Sequence, residues 1–309
     1  MNIRRKKVIN TIYSYFRAGK LPLMLGLLPF SLGKDRVGLE IFRERLNLGI
    51  QRTLKRKFFK REISDNFNSA TLKIVPNNMI WFMWLQGIEN APDFCKANFN
   101  YLKRKFPNLV NLITEENIFD YIDIPEYIKL KWKNGKISNT HFSDIVRVQL
   151  LCTYGGTWID STVIVKKDFI LNLPEFQIPQ TYGPGRSGHS IPVSNWFIHA
   201  ENNNEFLLRV RDMLFKYWEE NDRAIDYFIF HHFMIIVSHE MSDYLDSVPP
   251  LDNTLPHFLM LKMRHSSLHK SELASYLDKF EMMKFTNKFE NSREAINYEK
   301  LTQLLTTLN

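Results

Sequence analysis

The apolar positions of PDFCKANFNYLKRKF, residues 92–106, fall at Phe94, Ala97, Tyr101, Leu102 and Phe106. Steps of three and four trace one face of a helix. Pro107 closes it, and the short apolar run NLVNLI that follows predicts a strand. IPEYIKLKWKNG predicts a second short helix, with Pro125 near its first turn and Gly135 just past its end. In SNTHFSDIVRVQLLCTYGG, Phe142, Ile145, Val148 and Leu151 line a third helical face, and the Gly155–Gly156 pair stops it. TWIDSTVIV then reads as one buried strand from its β-branched content. Upstream, TLKIVPNNMIWFMWLQG reads as a strand entering a loop, punctuated by Pro76 and the Asn77–Asn78 pair. SNWFIHA predicts a strand, and NEFLLRVRDMLFKYWEEN, AIDYFIFHHFMIIVSHEM, KSELASYLDKF and REAINYEKLTQLL predict helices. Helix, Gly-Gly turn and strand in close succession make an αβ unit, so the fold class expected is α/β.

Charge divides the chain. Residues 1–61 hold sixteen Lys/Arg against three acids, Asp35, Glu40 and Glu44, so with +8 overall the remaining residues carry −5. A polar break, SDNFNSA, separates a basic helical extension (1–64) from the body (65–309). The clusters RRKK (4–7) and RTLKRKFFKR (52–61) flank LPLMLGLLPF, which is about half the length needed to span a bilayer and contains Pro22 and Pro29. Basic residues around a short apolar patch suit peripheral contact with an anionic membrane, and the other reading is an extension that packs on the body or self-associates. An acidic body without a base-reading motif argues against nucleic acid. Two distant cysteines, Cys95 and Cys152, argue against a disulfide framework or zinc cluster and fit a cytoplasmic location.

One carboxylate, Asp160, interrupts the apolar run TWIDSTVIV. Asp144 and Arg147 stand three apart and share a helix face. That helix runs into the Gly-Gly turn, and the next strand returns Asp160 to the same end of the sheet, where ligands of α/β proteins bind. Charges of this kind line sites because burial without partners is costly, although Asp144 and Arg147 alone also read as an ordinary surface pair.

The string HFSDIVRVQLLCTYGGTWIDSTV resembles the S-D-x-x-R … G-G-x-x-x-D-x-[D/T] signature of nucleotide-sugar glycosyltransferases with a GT-A fold, most closely the capsular polysaccharide synthesis group related to glycosyltransferase family 32. NNMIWFMWLQGIENAP, NGKISNTHFSD, SNWFIHAENNNEFL and DYFIFHH resemble further blocks, so the likeness covers roughly residues 72–290. It implies a nucleotide-sugar-binding mixed sheet flanked by helices, with extra helices at both termini. The implied activity is transfer of a hexosyl unit, with retention, from a nucleotide sugar (UDP-linked) to a hydroxyl of a polysaccharide or lipid-linked oligosaccharide acceptor. On the matching positions Asp144 would contact sugar or ribose hydroxyls, Arg147 the sugar or diphosphate oxygens, and Asp160 the ribose and a Mn²⁺ or Mg²⁺ ion. Trp81 and Trp84 are read either as stacking on the nucleobase or as core aromatics. Thr162 stands where the wider superfamily has a second Asp, which weakens the expectation of a metal. MMKFTNK resembles a K-[LF]-T-x-K block, in which Lys284, Thr286 and Lys288 alternate onto one side if extended and would clamp the leaving diphosphate. His231 reads as a diphosphate or acceptor contact, or as a structural histidine. YGPGRSGHSIP, residues 182–192, reads as a lid or acceptor gate, with Gly183, Gly185 and Arg186 at its centre and Gly188 beyond.

Two rivals stand beside this. A scaffold of a polysaccharide assembly complex without catalysis would turn over no UDP-sugar, and a sugar-1-phosphate transferase would release UMP in place of UDP.

Overall fold

A computed structural model describes residues 13, 15–32, 36–63, 73–76, 78–182 and 189–308. Two short helices, Leu21–Leu27 and Pro29–Leu32, precede the long α1, Arg36–Phe58. The body follows as β1 (Ile80–Met83), α2 (Asp93–Lys105), β2 (Val110–Ile113), α3 (Asn139–Tyr154), β3 (Gly156–Ile159), β4 (Val163–Val165), β5 (Phe176–Gln177) and β6 (Phe197–Ala200). After these come α4 (Glu205–Glu220), α5 (Ile229–Glu240), α6 (Phe258–His265), α7 (Lys270–Lys279), β7 (Met282–Lys284) and α8 (Ser292–Thr307). The chain is a mixed α/β fold.

The main sheet has five strands in the order β2-β1-β3-β6-β5. β1 runs parallel to β2 and β3, whereas β6 is antiparallel to β3 and β5. Both faces are covered, and β1 shows it by its alternation: Trp81 and Met83 enter one core, Ile80 and Phe82 the other. The first core is closed by α3, α4 and α5, and α1 contributes Ile50, Leu54 and Phe58 to it. On the other side α2, α6, α7 and α8 pack around Phe94, Leu102, Met263, Leu277 and Tyr298.

Four local features aim the chain at one end of this sheet. Ser138 caps α3, its hydroxyl accepting from His141 N at 3.3 Å, and Trp132 stacks on Phe142 at 3.9 Å between ring centres. At the far end of α3 the chain reverses through Gly155 (φ 66°) and Gly156 (φ 88°), a left-handed pair open only to glycine. The reversal is also too tight for a side chain: a Cβ on Gly156 would lie 2.3 Å from the Met79 carbonyl oxygen. β3 then pairs with β1 and β6 and ends at Ile159.

TWIDSTVIV is therefore two strands and not the single one expected. β4 belongs to a separate two-stranded sheet with β7. Between the strands Asp160 N donates to Trp196 O at 2.9 Å, and Val163 N closes a turn onto Asp160 O at 2.9 Å. Two different pairing partners pull the run apart at its one acid. In TLKIVPNNMIWFMWLQG the strand lies after the Asn pair, at Ile80–Met83. AIDYFIFHHFMIIVSHEM begins its helix only at Ile229, since Asp226 accepts from Phe228 N and His232 at the entry turn. Gly183, Gly185, Arg186 and Gly188 lie outside the described residues, as do 1–12, the polar break at 64–70 and Asn77.

Candidate active site

The carboxyl ends of parallel β1 and β3 open on a cleft of about 530 Å³, within the ~300–1,000 Å³ typical of small-molecule sites. Met83, Trp84, Leu85 and Gln86 leave β1 along one wall, and Asp160 and Ser161 leave β3 along its floor. Because β6 runs the other way, the residues before it, Ser194, Asn195 and Trp196, reach the same end. The first turns of α3 supply Asn139, Thr140, Ser143, Asp144 and Arg147, while Tyr227, Phe228, His231 and Lys284 complete the rim.

Arg147 is the centre of the charged cluster. Its Nη1 donates to the Asn195 carbonyl oxygen at 2.6 Å and lies 3.3 Å from Asp144 Oδ1. Its Nη2 donates to Asp160 Oδ1 at 3.3 Å, and the guanidinium rests over the Trp158 ring at 4.7 Å. Asp160 Oδ1 also accepts from Trp158 Nε1 at 2.9 Å, and its Oδ2 accepts from Lys284 Nζ at 3.1 Å. Asn195 Nδ2 donates to Asp144 Oδ1 at 2.8 Å. Asp144, Arg147 and Asp160 thus meet at one place, as their spacing leads one to expect.

The two acids sit in opposite electrostatic states. Burial pushes the Asp144 carboxyl up to about 7, Arg147 drawing it back only in part and Asp160 adding to the rise. Burial acts on Asp160 too, but Lys284 and Arg147 outweigh it and hold that carboxyl below its ordinary value. Burial, aided by Arg147, pushes the His231 imidazole down to about 3, so this ring is neutral at physiological pH.

Three buried polar atoms of residues that line the cleft have no hydrogen-bond partner among the described residues: Trp84 Nε1, Arg147 Nε and His231 Nδ1. A folded chain rarely leaves such groups unpaired, and their clustering at one cleft marks a place where a polar ligand supplies what the protein does not.

Not every residue singled out from the sequence reaches this cleft. Trp81 is fully buried in the core, its ring against Tyr121 and Tyr154 and its Nε1 donating to Gly155 O at 2.8 Å. The end of the strand explains the difference: Trp81 lies within β1, which is buried on both faces, and of the two only Trp84, beyond the strand end, lines the cleft. Lys284 reaches Asp160, but Thr286 and Lys288 do not follow it. β7 ends at Lys284, and the chain turns there: Thr286 N donates to the Tyr298 hydroxyl and Lys288 N to Thr286 Oγ1, leaving the Lys288 side chain exposed. Thr162 is buried beneath Lys284, its Oγ1 accepting from Nζ at 2.8 Å.

Asn195 and Trp158 escaped the sequence reading. Trp158 had a signal, because it stands two residues before Asp160 on the same side of an extended chain. Asn195 had none, since its place opposite Arg147 depends on how β6 docks.

Neither does the cluster fit a divalent metal. Mg²⁺ and Mn²⁺ want several oxygen ligands at about 2.0–2.2 Å, carboxylates first. Both oxygens of Asp160 already face cations or N–H donors, and Thr162 offers only a hydroxyl, which faces an ammonium. Among the described residues no three His, Cys, Asp or Glu side chains group to hold a metal.

Comparison with known proteins agrees with the sequence resemblance. The family model described as "Capsular polysaccharide synthesis protein" matches residues 38–302. Among curated proteins the chain is similar to the O-glycosyltransferase braB of Annulohypoxylon truncatum, 26% identical over 224 residues, 66% of this chain and 51% of the relative. The chain thus spans about half the length of that relative. Among solved structures it is similar to the PaToxG glycosyltransferase, at 15% identity and a TM-score of 0.38, over 87% of this chain and 97% of that one.

Proposed function

The chain belongs to the capsular polysaccharide synthesis protein family, and from that premise we propose that it is a glycosyltransferase using a nucleotide sugar, UDP-linked, as donor. The observation that carries this is the cluster at the cleft floor: a fixed guanidinium between two carboxylates of opposite protonation habit, with an ammonium beside them. Sugar hydroxyls need acceptors and donors held in place, and Asp144 with Asn195 provides both. A departing diphosphate needs positive charge, which Arg147 and Lys284 supply from a site whose dipoles are already oriented. Trp84, which lines the cleft, offers an aromatic wall for the base or sugar. Retention of anomeric configuration, which the resemblance implies, is the expected outcome.

The acceptor is a hydroxyl of a growing polysaccharide or its lipid-linked precursor, and one face of α1 supports work at a membrane. At about 100° per residue, Val37, Ile41, Arg45, Arg52, Lys55 and Arg56 fall in a single sector of that helix, and all six are exposed. Apolar and basic side chains without an acid among them suit the surface of an anionic bilayer. No helix among the described residues is long and apolar enough to cross one.

Two experiments test these statements. A panel of UDP-sugars with released nucleotide identified should yield UDP, with turnover lost in Asp160→Asn. UMP release would indicate phosphotransfer, and no turnover of any donor would favour the scaffold. Truncating α1 would unfold the core, so membrane contact is tested by flotation with vesicles containing phosphatidylglycerol, comparing wild type with Arg52→Glu/Lys55→Glu/Arg56→Glu. Equal flotation would remove the membrane face.

A further inference from the structure

Lys284 stands where the sequence resemblance leads one to expect a divalent ion. Its Nζ donates to Asp160 Oδ2 at 3.1 Å and to Thr162 Oγ1 at 2.8 Å, so the two side chains at the motif's acidic positions grip an ammonium. This placement is built into the fold. β7 pairs antiparallel with β4 in a register that sets Lys284 opposite Val163. The ladder is continued on both sides, by Phe285 N donating to Thr162 O and Lys166 N donating to Glu281 O, each at 2.8 Å. Met282 and Met283 are buried and anchor the strand in the core. Lys284 therefore reaches Asp160 from a fixed strand and not from a mobile loop.

Charge points the same way. Asp160, kept ionised by its neighbours, is matched by Arg147 and Lys284 together. Against the single charge of Asp160 stand two cations, and Asp144, pushed up to about 7, offsets the second only in part at neutral pH. An ammonium has three N–H groups, and two of them are used on Asp160 and Thr162. The third remains for a ligand in the cleft that Lys284 lines. A compact cation with a spare donor is a phosphate binder.

We propose that Lys284 takes the place of the divalent cation: it neutralises the diphosphate of the donor, Asp160 and Thr162 anchor its ammonium, and donor binding needs no metal. This rests on the reading of the cleft as a nucleotide-sugar site, and it adds the means by which the diphosphate charge is met.

Calorimetric titration of UDP into the full chain tests it, once with EDTA and once with excess Mn²⁺. Wild-type affinity should agree within about twofold between the two conditions. Lys284→Met, which keeps the stem and removes the charge, should weaken binding about tenfold or more in EDTA, with a melting temperature near wild type showing that the sheet is intact. Thr162→Val, close to isosteric, should weaken binding by a smaller factor by loosening the ammonium. If Lys284→Met does not fold, Thr162→Val carries the test alone, and unchanged UDP affinity there counts against the proposal. Binding confined to the Mn²⁺ condition, or undiminished in folded Lys284→Met, would overturn the proposal while leaving the donor site standing. No UDP binding in either condition would overturn both.

Discussion

Arg147 and Asn195 hold each other from two directions. The guanidinium donates to the Asn195 backbone carbonyl at 2.6 Å, and the Asn195 side chain donates at 2.8 Å to Asp144, the carboxylate one helical turn before Arg147. The loop before β6 thereby fixes both the cation and its acid. Arg147 Nε is buried without a hydrogen-bond partner among the described residues.

Removing the side chain should separate positioning from folding. In Asn195→Ala the carbonyl still receives Arg147, but Asp144 Oδ1 loses its amide donor. The expected cost is about 1 kcal/mol of stability and roughly tenfold in turnover, since a misplaced carboxylate is felt most in the transition state. Thermal melts beside steady-state kinetics on the best donor will show it. A loss of stability without a loss of rate would reduce Asn195 to a packing role.

Arg147 is more exacting. Arg147→Ala leaves two carboxylates facing each other, a defect worth about 3 kcal/mol when a buried partner is removed. The cost should be larger at pH 8 than at pH 5, because in the wild type Asp144 has already taken up its proton at the lower pH and needs the guanidinium less. Arg147→Lys should rescue part of the stability but little of the activity, for one ammonium cannot bridge Asp144, Asp160 and the Asn195 carbonyl with the geometry of a planar fork. Urea denaturation at the two pH values decides the first point.

Asp144 also gives the fold a pH dependence of definite sign. An unfolded aspartate loses its proton near pH 4, whereas the folded chain keeps it to about 7. Folding therefore binds a proton between these values, and this carboxyl lowers stability as pH rises through the window, by up to about 1.4 kcal/mol per unit. Asp160 contributes oppositely: its depressed folded value stabilises the chain above the ordinary carboxylate pKa, and that support is lost as pH falls through the folded value. Asp144→Asn keeps an acceptor for Asn195 and should flatten the slope between pH 4 and 7 without altering the acid limb. A slope unchanged in the variant would assign it to another group.

The parts of this site that were legible in the sequence are those set by local spacing. Asp144 and Arg147 share a face because a helix repeats every 3.6 residues, and the Gly-Gly pair that turns the chain back to Asp160 is visible as a pair. The break in TWIDSTVIV was not visible, because its β-branched residues satisfy a strand equally well on either side of Asp160. What splits them is a partner, β7, about 120 residues away. The same distance hid the pairing of Lys284 with Asp160 and Thr162. Trp81 and Trp84 look alike in sequence, and only the point where β1 stops decides which is core and which is wall.

That dependence on the turn yields the last prediction. Gly156 begins β3 with φ 88°, and an added Cβ would meet the Met79 carbonyl oxygen at 2.3 Å and Met79 N at 3.1 Å, both backbone atoms that cannot swing aside. The same carbonyl accepts the Thr157 N–H at 2.8 Å, the first bond that joins β3 to β1. Gly156→Ala thus strains the backbone and pries apart the two parallel strands whose ends form the cleft. A loss of about 3 kcal/mol or more is expected, seen as a lowered urea midpoint or as insoluble protein. Gly135→Ala is the control: its φ of 70° carries a similar backbone strain, but nothing lies within 4 Å of its Cβ, so its cost should stay near 1 kcal/mol. Equal losses at the two positions would show that conformation alone governs both and that the close approach of β3 to β1 is not what demands glycine at 156.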